Sequence, residues 1–126
     1  MSQAVPRAQP TSDRGTPSPS GMTPMVSTLS GDPDMLELIQ LFIDEIPERA
    51  RLLRDFWERK ELAELRRVAH QLKGASGGYG FPTLGEAAGT LERQLNIAIS
   101  TPAPDLSPVA RELDELIVLC QRVRSA

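Results

Sequence analysis

The stretch LAELRRVAHQLKGASGGYG at residues 62–80 carries the repeat that decides the fold. Its larger apolar residues recur at spacings of three and four, the period of an α-helix with one buried stripe: Leu62, Leu65, Val68, Ala69 and Leu72. On a helical wheel, at about 100° per residue, His70 lies on the side opposite this stripe. We therefore predict a helix with a buried apolar face and an exposed histidine.

The glycines at the end of this stretch allow two interpretations. A glycine inside a helix costs about 1 kcal/mol relative to alanine, so Gly74 could end the helix as a C-cap before a flexible loop. Alternatively, the helix continues, and Gly74 and Gly77 leave room for another protein to approach the imidazole of His70. The sequence places the end of the helix between Gly74 and Gly80 and leaves both interpretations open.

Helical spacing continues on both sides of this stretch. Asp32-Pro33 predicts the N-cap of a first helix, which we expect to continue with a kink past Pro47. Thr83 and Glu86 predict a capping box at the start of a third helix, and Ser107-Pro108 predicts the start of a fourth. The apolar positions of these helices are Met35, Leu38, Ile39, Phe42 and Ile46, then Leu84, Ala87, Ala88, Leu91 and Leu95, then Val109, Leu113, Leu116, Ile117 and Cys120. No segment alternates as a β-strand does, so we predict an all-α, antiparallel four-helix bundle.

The first thirty residues differ in composition from the rest of the chain. Five prolines stand among serine, threonine, glutamine and glycine: Pro6, Pro10, Pro17, Pro19 and Pro24. Such a segment has too little apolar surface to offset the entropy lost on ordering it. We predict a disordered tail over 1–30 and a helical domain over 31–126. Within the tail, Met22 to Leu29 has enough apolar residues for a short extra helix that packs on the bundle.

Composition excludes several classes of protein. The chain has 14 Lys+Arg against 17 Asp+Glu, and a net charge of -3 argues against nucleic acid as the main partner. One cysteine and one histidine cannot form an internal disulfide, a cysteine-rich zinc site or a two-histidine metal site. No apolar run approaches the roughly 18 residues of a membrane span, and the first residues lack a signal peptide. We expect a monomeric cytoplasmic protein with no metal or cofactor of its own.

The charges around His70 suggest a chemistry. Lys73, three residues further on, shares its face and can reach an anion held at the imidazole. Arg66 and Arg67 occupy the preceding turn, where a solvated charged face is an equally good interpretation. A neutral imidazole is a nucleophile near pH 7, and positive charge stabilises an attached phosphoryl group. An exposed histidine, a neighbouring cation and a cleared approach are typical of a phosphoryl carrier.

The motif HQLKGAS at residues 70–76 resembles the H-x-L-K-G-x-[SA] signature of histidine phosphotransfer (HPt) domains. The resemblance continues through Gly80, Leu84 and Leu91-Glu92 and covers roughly Asp32 to Val123. Members of this family are four-helix bundles, often with a short extra N-terminal helix, that carry phosphoryl groups in two-component phosphorelays. The glycine-rich segment after the motif departs from the usual pattern of the family.

This resemblance implies a role for each residue of the site. His70 would accept a phosphoryl group from the aspartate of one receiver domain and pass it to the aspartate of another. Lys73 would hold the phosphoryl oxygens, and Gly74 would admit the receiver. Glu92, on the neighbouring helix, would hydrogen-bond the imidazole and orient its reactive nitrogen outward. The implied partners are receiver domains of hybrid histidine kinases and of response regulators, with magnesium expected on the receiver.

Two other functions are alternatives to a carrier. A complete histidine kinase is disfavoured because too few residues follow His70 for an ATP-binding domain and no phosphate-binding loop motif occurs. The chain is therefore expected to have no kinase activity of its own. A helical module that binds receivers without accepting phosphate stays open. For the docking surface we expect an apolar patch near His70, with contributions from Leu36, Ile39 or Ile43 and from the third helix.

Overall fold

The computed structural model describes residues 24–124, which form four α-helices joined by short connections. These are α1 (Leu36–Glu58), α2 (Leu62–Gly78), α3 (Pro82–Ile99) and α4 (Ser107–Arg122). Each helix packs against the next one along the chain, and α1 also contacts α4, so the helices close into a bundle. The predicted all-α, four-helix fold is confirmed. Most of the predicted tail, residues 1–23, lies outside the described residues.

The core is built from the apolar stripes that the sequence predicts. Eight leucines in it are almost completely buried: Leu53, Leu65, Leu72, Leu84, Leu91, Leu95, Leu113 and Leu116. At one end of the bundle the ring of Phe42 lies 5.3 Å from that of Tyr79 and 5.5 Å from that of Phe81, between ring centroids. These aromatic contacts join the beginning of α1 to the turn between α2 and α3. Since α2 buries one face, its other face is left to solvent.

The first helix begins later than the sequence predicts. Asp32 does not cap it, because its carboxylate accepts a hydrogen bond from the amide of Asp34, at 3.0 Å, within a turn that precedes the helix. The N-cap position is occupied by Met35, with no side-chain capping bond. The prediction of one helix continuing past Pro47 is confirmed, since α1 includes that residue.

The caps predicted for α3 and α4 are also wrong in detail. Thr83 and Glu86 form no capping box, because α3 begins at Pro82 and its N-cap position is Phe81, which has no side-chain capping bond. Packing of the buried Phe81 ring fixes this end of the helix instead. Ser107 is the first residue of α4 rather than its cap, and its amide donates to the carboxylate of Asp105 at 3.0 Å. The prolines are at the helix starts, as predicted.

The second helix continues through its glycines. It ends only at Gly78, with Tyr79 as the C-cap residue, so the interpretation of Gly74 as a C-cap is wrong. The chain reverses at Gly80, whose φ of 86° lies in the left-handed region that favours glycine. A Cβ at Gly80 would also collide with the side chain of Ser27, which packs over this turn.

Residues 24–30 are part of the folded domain rather than of a disordered tail. The amide of Met25 donates to the carbonyl of Arg122 at 2.6 Å, and the amide of Arg124 donates back to Met25 at 2.9 Å. The hydroxyl of Ser27 donates to the carbonyl of Tyr79 at 2.6 Å. The predicted boundary at residue 30 is therefore too late. The extra helix is absent from its described part, 24–29, which is extended and then turns because its backbone pairs with the end of α4.

Candidate functional site

His70 lies in the middle of α2 on its solvent face. The side chain is 69% exposed, while Ala69 and Leu72 beside it in the sequence are completely buried. Because these neighbours anchor α2 to the core, the orientation of the helix directs the imidazole outward. The predicted exposure of His70 is confirmed.

Glu92 on α3 holds one nitrogen of this imidazole. Its Oε2 lies 2.8 Å from Nδ1 of His70, and the carboxylate side chain is only 17% exposed. An ionised carboxylate can only accept hydrogen bonds, so the proton in this bond belongs to Nδ1. The lone pair of the neutral ring is then on Nε2, the nitrogen that makes no hydrogen bond to a described residue.

Lys73 contacts the same carboxylate. Its Nζ lies 3.8 Å from Oε1 of Glu92, and its side chain is 53% exposed. One carboxylate therefore links the imidazole and the ammonium group, each through a different oxygen. Because the pair is long and half in solvent, the lysine can leave it at little cost when a stronger anion is present.

Two glycines of α3 make room for Lys73, and the sequence analysis missed both. A Cβ at Gly89 would stand 3.4 Å from Cδ of Lys73, and one at Gly85 would stand 3.4 Å from its carbonyl oxygen. Both glycines are buried and lie one helical turn apart on the side of α3 that faces α2. Their spacing of four residues was the available signal. Gly89 lets the lysine stem lie across α3 on its way to Glu92, and Gly85 lets the backbone of α2 come close to α3.

The three glycines of α2 are exposed to solvent, and Gly77 also borders the groove between α2 and α3. A Cβ added at Gly74, Gly77 or Gly78 would meet no atom within 4 Å. Internal packing therefore does not require glycine at these positions. Bare helix backbone extends from His70 toward the end of the bundle, as expected for a surface that another protein approaches.

Arg66 and Arg67 have different surroundings. Arg66 donates to the side-chain oxygen of Asn96 on α3, at 3.1 Å. Arg67 instead forms a salt bridge with Glu64, one turn earlier on α2. Both line a shallow hollow of about 460 Å³, together with His70 and Glu92. Of the two arginines that line this hollow, only Arg66 has no carboxylate partner among the described residues.

Of the residues that α1 was expected to contribute to an apolar docking patch near His70, only Leu36 is largely exposed. Ile39 is buried in the core and Ile43 is half-buried against it, so neither offers a large apolar surface. Leu36 is 47% exposed, and Leu38 and Leu41 on the same helix are exposed as well. The sequence could not separate these residues because the apolar stripe of α1 is wider than the core that it covers.

No other chemistry competes with this site among the residues described. No group of three histidine, cysteine or acidic side chains is placed to hold a metal ion within residues 24–124. Cys120 is buried, and desolvation raises the pKa of its thiol to about 11, which keeps it protonated. A search of the helices in the same range finds none long and apolar enough to cross a membrane.

One comparison with known proteins identifies a family. A family model described as "Hpt domain" matches residues 37–126, which is most of the chain and includes the four helices except the first residue of α1. None of the curated proteins and none of the solved structures matched the chain.

Proposed function

Because the chain belongs to the Hpt domain family of two-component phosphorelays, we propose that it is a stand-alone carrier phosphorylated on His70. It takes the phosphoryl group from the aspartate of one receiver domain and delivers it to the aspartate of another. Hpt domains are phosphoryl carriers rather than kinases and have receiver domains as partners. The observation that carries this proposal is an imidazole 69% exposed with one nitrogen held by Glu92 and the other open to solvent.

The transfer step follows from this geometry. The Nε2 lone pair attacks the phosphorus of the aspartyl phosphate, an N–P bond forms, and the bond from phosphorus to the aspartyl oxygen breaks. The aspartate leaves as a carboxylate, and the proton on Nδ1 stays in its hydrogen bond to Glu92. The ring becomes cationic as the N–P bond forms, and the carboxylate of Glu92, 2.8 Å away, stabilises that charge. Delivery to the second receiver is the reverse reaction.

Lys73 supplies the positive charge for the phosphoryl oxygens. In the unphosphorylated protein its ammonium group lies 3.8 Å from Glu92, the carboxylate that also hydrogen-bonds His70. A phosphoryl group on Nε2 carries more charge than a carboxylate, so the lysine is expected to turn toward it. Magnesium is expected on the receiver, where it screens the acyl phosphate.

Gly74 and Gly77 give the receiver access to this site. The attacking nitrogen must come within bonding distance of a phosphorus that is itself held in a receiver's active site. Any residue larger than glycine at these positions, on the next two turns of α2, would hold the two proteins apart. Open space at both positions fits this requirement.

The direct test is phosphoryl transfer from a phosphorylated receiver domain. Wild-type protein is expected to take up acid-labile, alkali-stable label, and His70→Ala is expected to take up none while keeping its helical circular dichroism. Equal labelling of the two proteins would contradict the proposal. Binding of the receiver without labelling of either protein would replace the carrier by a docking module.

A further inference from the structure

The arginines of α2 and α3 differ in how their charge is compensated. These helices contain three arginines, Arg66, Arg67 and Arg93. Arg67 forms a salt bridge with Glu64. Arg66 and Arg93 are exposed and hydrogen-bond only neutral side chains, the amide of Asn96 and the hydroxyl of Thr90, at 3.1 and 3.0 Å. The chain has more acidic than basic residues, with a net charge of -3. The absence of a carboxylate partner for these two arginines within the described part of the chain therefore suggests that their charge serves another purpose.

Both arginines lie along the groove that contains His70. Arg66 lines the hollow that contains His70 and Glu92. Arg93 lines a second hollow, of about 540 Å³, together with Lys73. The two hollows adjoin, because Lys73 of the second reaches to within 3.8 Å of Glu92 in the first.

The second hollow brings two cations to one glycine. The Cβ position of Gly89 lies 3.6 Å from Cε of Lys73 and 3.9 Å from Nη1 of Arg93. Glu86 also lines this hollow, but no ion pair within 4.0 Å joins it to either cation among the described residues. The hollow is therefore shallow, with two cationic side chains at its edge and a glycine at its base.

We infer that Arg93 is a docking residue that binds a carboxylate of the receiver domain, with Arg66 in the same role on the other side of His70. This inference rests on the proposed function. A receiver that holds magnesium beside its aspartyl phosphate must carry further carboxylates there, since protein sites for magnesium are built from them. The face that meets His70 is therefore rich in carboxylates, and the cations on both sides of His70 are placed to bind carboxylate oxygens that the metal ion leaves free.

The position of Arg93 favours a carboxylate of the partner over the phosphoryl group itself. Lys73 follows His70 by one turn of the same helix and shares its carboxylate partner. Arg93 reaches back toward Gly89 instead, into a hollow that contains neither His70 nor Glu92. Its contribution is thus to hold the complex together, whereas Lys73 acts on the transferred group.

The test compares Arg93→Ala with Arg111→Ala, using a receiver domain that phosphorylates the wild-type protein. Arg111 is the control. It is an exposed arginine of α4, and its side chain pairs with Glu112 on the same helix. Arg93→Ala is expected to weaken receiver binding about fivefold to tenfold and to flatten its salt dependence, with the transfer rate at saturating receiver retained. Arg111→Ala is expected to bind as the wild type does.

Three outcomes would overturn the inference. Unchanged affinity and unchanged transfer in Arg93→Ala would show that the arginine faces solvent only. A slower rate at saturation with unchanged affinity would place Arg93 on the phosphoryl group. If no receiver phosphorylates the wild-type protein, the proposed function itself fails and this inference fails with it. The wild-type reaction in the same experiment distinguishes this last case from the first two.

Discussion

In the proposed mechanism, the hydrogen bond from His70 to Glu92 determines which ring nitrogen reacts. It occupies Nδ1 and leaves Nε2 in solvent, at a side chain that is 69% exposed. A negative charge on the partner also favours the cationic ring that forms during transfer. The same carboxylate lies 3.8 Å from Nζ of Lys73, so in the proposed carrier the ammonium group is already near the imidazole when the phosphoryl group arrives.

Replacing Glu92 by glutamine keeps the size of this side chain and removes its charge. We expect Glu92→Gln to fold normally and to accept phosphate about tenfold more slowly, a loss of roughly 1.4 kcal/mol of transition-state stabilisation. The measurement is the rate of label uptake from a phosphorylated receiver at fixed pH. Glu112→Gln is the control, because Glu112 is 18% exposed and also pairs with a cation. Equal rates for both variants and the wild type would remove Glu92 from the site.

Ser76 is a second residue whose environment makes a clear prediction. It is completely buried, and its hydroxyl has no hydrogen-bond partner. An unsatisfied buried polar group is destabilising, so Ser76→Ala is expected to raise the free energy of unfolding by about 1 kcal/mol. Urea denaturation measures this change. The exposed Ser100, which bonds a backbone carbonyl, serves as the control position. A destabilised Ser76→Ala protein would mean that the hydroxyl has a partner in solution.

Helix α2 must be stable, but its glycines, which leave the surface beyond His70 open, lower helix stability. Its core face is packed along its whole length, whereas the face beyond His70 lacks side chains at three positions. Each of these glycines lowers helix stability by about 1 kcal/mol relative to alanine. Burial of leucines on the other face offsets this cost, so the helix reaches Gly78.

Alanine at Gly74 should therefore raise stability. We expect Gly74→Ala to increase the free energy of unfolding by about 1 kcal/mol, since the position is inside a helix and open to solvent. Gly74→Leu is expected to retain the fold and to weaken both receiver binding and transfer, because the side chain blocks the approach. Gly80→Ala is the contrasting variant and should be destabilised, since its φ is 86°. A loss of stability in Gly74→Ala would mean that α2 ends at this glycine in solution.

The bundle as a whole is expected to protect its single cysteine. Burial on α4 raises the pKa of Cys120 to about 11, so at pH 8 the native thiol is protonated and inaccessible. Alkylation by iodoacetamide at that pH should be far slower in the native protein than in urea. Because burial raises the pKa of the folded thiol above that of an exposed one, the free energy of unfolding should also fall as the pH rises from about 9 to 11. Cys120→Val should not show this fall. Equal alkylation rates in native and unfolded protein would contradict the burial of this helix face.

The sequence predicts the fold of the whole molecule better than it predicts the ends of the helices and the segment before the first helix. Helical periodicity identified the four helices and the exposed side of His70, because packing an apolar stripe dominates the energy of each helix. The predicted caps were wrong because aspartate and serine also bond their own turns, as Asp32 does. The apolar residues Met25 and Leu29 do pack on the core, as the sequence predicts. The segment is not helical because its backbone hydrogen-bonds to distant residues, and these bonds leave no pattern in the sequence. Gly85 and Gly89 were missed because their spacing of four residues, the one available signal, does not show which helix approaches them.

The central claim is that Glu92 presents Nε2 of His70 as the phosphoryl acceptor. Nitrogen-15 NMR of the protein after reaction with a phosphorylated receiver tests it most directly, because the phosphorylated nitrogen couples to phosphorus. We predict one phosphoryl group per chain, bonded to Nε2, with the proton retained on Nδ1. A phosphoryl group on Nδ1, or on any residue other than His70, would contradict the account.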